Sequence, residues 1–129
     1  MKESVLHIVH FATTPEELYK AWLDSEQHSA MTGGEAECSD QVGADFTTWD
    51  GYITGKNLEL EPNKRILQNW RTVEFNEEDE DSILEVLFES KEGGTELKLI
   101  HTHIPEGQTQ YEQGWIDSYF SPMREYFEN

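Results

Sequence analysis

The chain has 129 residues, and 27 acidic against 9 basic side chains give it a formal charge of −18. That length suits one domain, residues 1–129, with a core that needs neither metal nor disulfide. The charge repels phosphate backbones and the anionic face of a membrane, so neither nucleic acid nor a membrane is expected as a partner.

Cys38 is the only cysteine, which rules out an internal disulfide and zinc-ribbon or dithiol spacing, and a free thiol suits a reducing compartment. No apolar run approaches the ~20 residues of a spanning helix, and Met1 to Ser4 leads into a strand pattern rather than a signal-peptide core. A soluble, cytoplasmic protein is the expectation.

In chain order, Ser4 to Phe11 alternates as a strand, with Val5, His7, Val9 and Phe11 on one face. Thr14-Pro15-Glu16-Glu17 combines a capping hydroxyl, a proline at the first helical position and a glutamate three residues after the cap, which predicts a helix start. Ser25 to His28 reads as a second cap, opening a short helix that Gly33-Gly34 ends. From Glu35 the pattern turns to strands, interrupted near Asp40 to Gly43 and continuing from Phe46 to Tyr52, where Gly51 and Gly55 mark a bulge or bend. Pro62-Asn63-Lys64 joins Leu58–Leu60 to Ile66–Val73 as a hairpin, and Lys91 to Gly94 joins Ile83–Ser90 to Thr95–Ile104. The five consecutive acidic residues after Asn76 predict an exposed loop without packed structure.

Gln108 to Asn129 closes the chain with Tyr111, Trp115, Tyr119, Met123 and Phe127 spaced by four, beside Ile116, Phe120 and Tyr126. This is a long helix with a broad aromatic face, and only a sheet can cover it. Pro122 within it predicts a kink or break near Ser121. The class is therefore α+β: a curved antiparallel sheet of about six strands around a long C-terminal helix, with two short helices after the first strand.

Candidate chemistry is sparse. His101 and His103, two apart on a strand, point to the face of Leu97 and Leu99, but a catalytic zinc needs a third ligand, which would have to come from His7, His10 or a carboxylate that the spacing does not place; hydrogen-bonded pocket or core histidines are the expectation, and no metal or other cofactor is assigned. Glu85, Glu89, Glu112 and Asp117 lack a paired nucleophile and read as a solvated face; Cys38 lacks an electropositive neighbour; neither double glycine carries phosphate-loop spacing. No catalytic residue is assigned, and the chain is read as not an enzyme. The four tryptophans Trp22, Trp49, Trp70 and Trp115 either fill the core or line a cavity.

The stretches Trp49 to Gly55, Leu60 to Ile66, Gly94 to Leu97, Ile104-Pro105 and Gln113-Gly114-Trp115, with the Thr14 to Trp22 helix start, resemble the C-terminal domain of the activator of the ninety-kilodalton heat-shock protein ATPase. That family lies within the helix-grip superfamily of START and birch-pollen-allergen-like domains. The resemblance implies space for an apolar ligand between sheet and helix and a link to chaperones and the stress response. It also implies that a separate N-terminal domain, for which this length has no room, makes a principal chaperone contact in the eukaryotic activators.

The leading expectation is a binding domain for a small hydrophobic or amphipathic ligand, or a protein segment, lined by Trp49, Trp70, Leu87, Leu99, His101, Trp115 and Tyr119. Here the aromatics supply area and His101 an orienting hydrogen bond. A co-chaperone steered by its acidic surface to a basic partner is the second reading, and a small hydrolase or cyclase with His101 or His103 as base the third. Monomer and homodimer both stay open.

Overall fold

The computed structural model describes residues 2–128; Met1 and Asn129, the ends of the expected first strand approach and last helix, lie outside the described residues. Six strands form one antiparallel sheet in the order β1-β6-β5-β4-β3-β2. They are β1 (Glu3–Phe11), β2 (Asp45–Thr48), β3 (Ile53–Glu61), β4 (Arg65–Thr72), β5 (Ser82–Lys91) and β6 (Gly94–Ile104). Helices α1 (Pro15–Leu23) and α2 (Ser25–Thr32) fill the crossover after β1. The terminal helix is α3 (Tyr111–Trp115), a π turn (Ile116–Phe120) and α4 (Ser121–Glu128).

Each helix start follows from local chemistry. The Thr14 hydroxyl accepts the Glu17 N–H at 3.1 Å ahead of Pro15, as a proline at the first turn allows. The second cap is Asp24 rather than Ser25: its carboxylate accepts the Gln27 N–H at 3.0 Å and holds one of the orphan donors of the first turn. Gly33, at φ 90°, then ends α2 in the left-handed conformation.

Strand parity places the core. On β4 every second residue from Ile66 to Thr72 is buried, on β5 Ser82, Leu84, Val86 and Phe88, and on β6 Leu97, Leu99 and His101. α1 and the terminal helix cover that one face, with α2 packed against both: Tyr19 of α1 meets Phe88 edge-on at 6.0 Å, and Phe120 meets Phe11 of β1 at 6.4 Å. The opposite face is open, with Leu6 and Ile8 of edge strand β1 at 58% and 57% exposure.

Three expectations are corrected. The Phe46 to Tyr52 run is not one strand: β2 stops at Thr48, and Trp49, Asp50 and Gly51 form the turn to β3 at φ 51°, 58° and 88°. Gly55 is not a bend but a close approach, since a Cβ there would lie 2.1 Å from the Asn69 carbonyl oxygen of β4. The acidic segment is a loop, yet a structured one: the Arg71 guanidinium donates to Asp81 Oδ1 at 2.7 Å and to the carbonyls of Asp79 and Asn76 at 3.1 and 2.9 Å.

The helix around Pro122 widens instead of breaking. In an ideal α-helix a four-residue step overshoots a full turn by about 40°, so four steps would carry Phe127 about 160° away from Tyr111. The π turn, closed by Ser121 N–H to Ile116 carbonyl, absorbs one extra residue and restores the phase. Tyr111, Trp115, Tyr119 and Met123 are consequently all buried, whereas Ile116 and Tyr126, expected on the same face, stand exposed. Pro122 follows the wide turn directly, where its missing N–H costs the helix least.

Candidate ligand site between sheet and terminal helix

The terminal helix meets the sheet through rings. Trp115 lies between Trp22 of α1, stacked at 6.2 Å, and Trp70 of β4, at 5.6 Å and 38°. Tyr119 packs 4.8 Å from Trp115 and stacks on Trp22 at 5.2 Å, while Tyr111 stands edge-on to Trp70 at 5.1 Å. Offset and edge contacts of this kind each add about 0.5–1.5 kcal/mol beyond the area they bury.

Behind the rings lie two histidines with no free nitrogen. The Trp115 indole N–H donates to His101 Nδ1 at 3.1 Å, which leaves the neutral imidazole its proton on Nε2 to give to Ser82 Oγ at 2.8 Å. Ser82 in turn donates to the Trp70 carbonyl at 2.6 Å. His28 donates from Nδ1 to the Trp22 carbonyl and accepts the Tyr119 hydroxyl at Nε2, both at 2.8 Å. Tyr119 Oη is also 3.2 Å from Thr48 Oγ1. Burial lowers the His101 pKa to about 3. It lowers that of His28 to about 4 despite the opposing pull of the Trp22 carbonyl. Burial, then the Asp24 charge, pushes the Cys38 thiol up to about 12, the reverse of a reactive thiolate.

A cavity of about 330 Å³ opens where the helix start parts from β3 and β4. Six of its ten lining residues are aromatic: Trp49, Tyr52, Trp70, Tyr111, Trp115 and Tyr119. Ile53, Gln110, Gly114 and Ser118 complete it, so no basic side chain lines it. Trp49 is held there against preference, because a bulky residue at φ 51° is an outlier. Its ring lies so close over Gly34 that a Cβ on Gly34 would sit 2.4 Å from it. The Trp49 indole N–H is buried without a hydrogen-bond partner, the one such side-chain group among the described residues. Orphaned donors of this sort cost about 1–3 kcal/mol.

Of the seven residues expected at a ligand site, Trp49, Trp70, Trp115 and Tyr119 border the cavity. Leu99 and His101 do not line it: both are fully buried, and with both ring nitrogens taken His101 has no hydrogen bond to offer a ligand. Leu87 is on the other face of the sheet, pairing in register with Arg65 and Lys98. His103 also turns away from His101: β6 carries one extra residue opposite Glu3–Val5, and His103, at φ 62°, is exposed in that bulge. Tyr52 and Tyr111 were not foreseen as lining residues. The Asp50-Gly51 dipeptide, a hairpin signal between two apolar runs, was the cue that would have located the turn and brought Tyr52 inward.

Six antiparallel strands curved around a terminal helix, with an aromatic cavity between, define a helix-grip domain. Comparison with known proteins carries this further: a family model described as "Activator of Hsp90 ATPase homolog 1-like protein" matches residues 12–128, and the chain belongs to that family. The mouse "Activator of 90 kDa heat shock protein ATPase homolog 1" is 32% identical over 118 residues, and its human counterpart 31%. Those matches cover 91% of this chain but 35% of either relative, so the chain spans about a third of their length. Among solved structures, an HSP90 activator from Plasmodium falciparum superposes with a TM-score of 0.88 at 28% identity, covering 97% of this chain and 96% of that one. The Aha1 dimer from Colwellia psychrerythraea, at 16% identity and a TM-score of 0.83 over 98% and 96% of the two chains, shares the fold.

Proposed function

We propose that the chain is a non-enzymatic binding domain that takes a small apolar or amphipathic molecule, or a protruding protein segment, into the aromatic cavity between sheet and terminal helix. The observation that carries this reading is the cavity's make-up: about 330 Å³ of space walled by six aromatic side chains, one bearing an unpartnered buried N–H. Ligand sites are mostly apolar hollows of ~300–1,000 Å³ with few polar groups. A hydrolase or cyclase would need a base facing that space, and both ring nitrogens of His101 are already engaged.

Gly114 provides the test, because it lines the cavity and a Cβ added there meets nothing within 4 Å. Wild-type protein should retain one ligand per chain in native mass spectrometry after exposure to a lipid extract, and should enhance the fluorescence of a neutral naphthylamine probe. Gly114→Leu fills the space, so it should weaken probe binding at least about tenfold while leaving the melting temperature close to wild type, the loss of about a kcal/mol or more being typical of a displaced apolar contact. Equal binding by the variant would place the probe elsewhere and end this reading.

A second reading, contact with a ninety-kilodalton heat-shock chaperone, is favoured by the names of the relatives. The exposed acidic side chains, among them Glu77, Glu78 and Glu80, would steer the domain to a basic surface. Such an association should weaken several-fold in a pull-down between low and physiological salt, whereas binding in the cavity should barely respond. Indifference to salt, or no capture at low salt, would count against it.

A further inference from the structure

The polar groups around the cavity differ in what they leave available. All three lining tyrosines have their hydroxyls committed elsewhere: Tyr119 to His28, Tyr111 to Thr72 and Gln108 at 2.7 and 2.8 Å, and Tyr52 to the Glu74 carboxylate. The Trp115 N–H is given to His101. Three side chains of the lining keep a free donor. The Trp49 indole N–H is buried without a partner, and neither the Gln110 amide nor the Ser118 hydroxyl is paired with another group among the described residues. Gln110 and Ser118 flank Gly114 at four-residue steps along the terminal helix, so the wall between them carries no side chain.

None of these three side chains is charged, and no lysine, arginine, histidine, aspartate or glutamate lines the space. An ionised group entering it gives up its hydration and finds no counter-ion, which costs far more than moving a neutral polar group. Each of the three can donate, and the buried one gains most from an acceptor, because an orphaned donor keeps its desolvation cost until one arrives. Resting on the cavity-binding reading above, we infer that the ligand is an uncharged molecule, an apolar body bearing a carbonyl or ether oxygen that accepts from the donors of Trp49, Gln110 and Ser118. Those donors set the polarity of the guest, and the missing counter-ions exclude carboxylates and amines of the same shape.

The test compares acetylnaphthalene with isopropenylnaphthalene, in which a methylene group replaces the carbonyl oxygen, and with naphthoate and naphthylethylammonium, in about 150 mM salt, where the acidic exterior is largely screened. Binding is followed by NMR through the indole N–H and side-chain amide resonances. The ketone should bind at least as tightly as the hydrocarbon in spite of its stronger hydration, and at least about tenfold more tightly than either ion. The two ions bracket the exterior charge, which repels one and attracts the other. The affinity of the ketone relative to the hydrocarbon should fall about threefold in Trp49→Phe and in Gln110→Leu/Ser118→Ala; Gln110 makes no capping hydrogen bond, so its replacement leaves the helix start intact. Tighter binding of the hydrocarbon, an ion that matches the ketone, or a relative affinity unchanged in both variants overturns the assignment and leaves the cavity reading standing. Ketone binding that is unaffected by Gly114→Leu lies outside the cavity and also overturns it, as does failure of the ketone where the neutral naphthylamine probe still binds. If that probe and all four compounds fail, both readings fall together.

Discussion

Trp115→Ala should lower the free energy of unfolding by about 3–5 kcal/mol, the range for truncating a buried tryptophan. Folded domains commonly have only ~5–15 kcal/mol to lose, so the variant should sit near the edge of folding at 37 °C. The size of the effect follows from position, because Trp115 touches the rings of Trp22, Trp70, Tyr119 and His101 and thereby joins α1, β4 and β6 to the terminal helix. Trp115→Phe separates the two contributions. It keeps much of the ring but leaves His101 Nδ1 without a donor, for an expected cost of about 1–3 kcal/mol. Urea unfolding followed by circular dichroism measures both. A loss below about 1 kcal/mol for the alanine variant would mean that the helix does not depend on this anchor.

Acid should destabilise the fold through its two buried histidines, and the sign can be worked out. His28 and His101 titrate at about 4 and 3 in the folded protein, against 6.5 for a solvated imidazole. The unfolded chain therefore takes up their protons first. Their contribution is complete above pH 6.5 and drains away as pH falls toward 4 for His28 and 3 for His101. At pH 5 each should have cost about 2 kcal/mol relative to neutral pH. Carboxylate protonation acts in parallel, so the informative quantity is the gap between wild type and His101→Gln. The variant is the less stable at pH 7, yet it lacks one of the two acid-sensitive groups, and the gap should narrow by about 2 kcal/mol between pH 7 and pH 5. An unchanging gap would mean that His101 is charged inside the fold.

How far the fold could be read in the sequence varied with the kind of signal. Regular periodicity and capping chemistry were explicit: the Thr14-Pro15 helix start, the hairpins around Asn63 and Glu92-Gly93, and the aromatic spacing from Tyr111 to Phe127 all correspond to elements present in the fold. Side-chain parity is legible too, and it sets Leu87 outside the core: Leu87 shares its phase with Glu85 and Glu89 and not with the buried Leu84, Val86 and Phe88. The remaining gaps have a physical origin in tertiary override. Nothing local puts a tryptophan at positive φ, as at Trp49, or inserts one residue into β6 and rotates His103 outward. The ligand site is the part least legible in sequence, because whether His101 faces a cavity or a neighbouring indole depends on distances between segments far apart in the chain.

The wide turn at Ile116–Phe120 has a consequence for how this molecule tolerates change. Because that turn holds a surplus residue, the angular setting of everything after it depends on segment length as well as on side-chain type. Removing one residue there would wind the rod back into a regular spiral and swing Met123 and Phe127 about 100° round its axis. Exchanges between similar rings in this stretch should be accommodated, whereas single insertions and deletions should not.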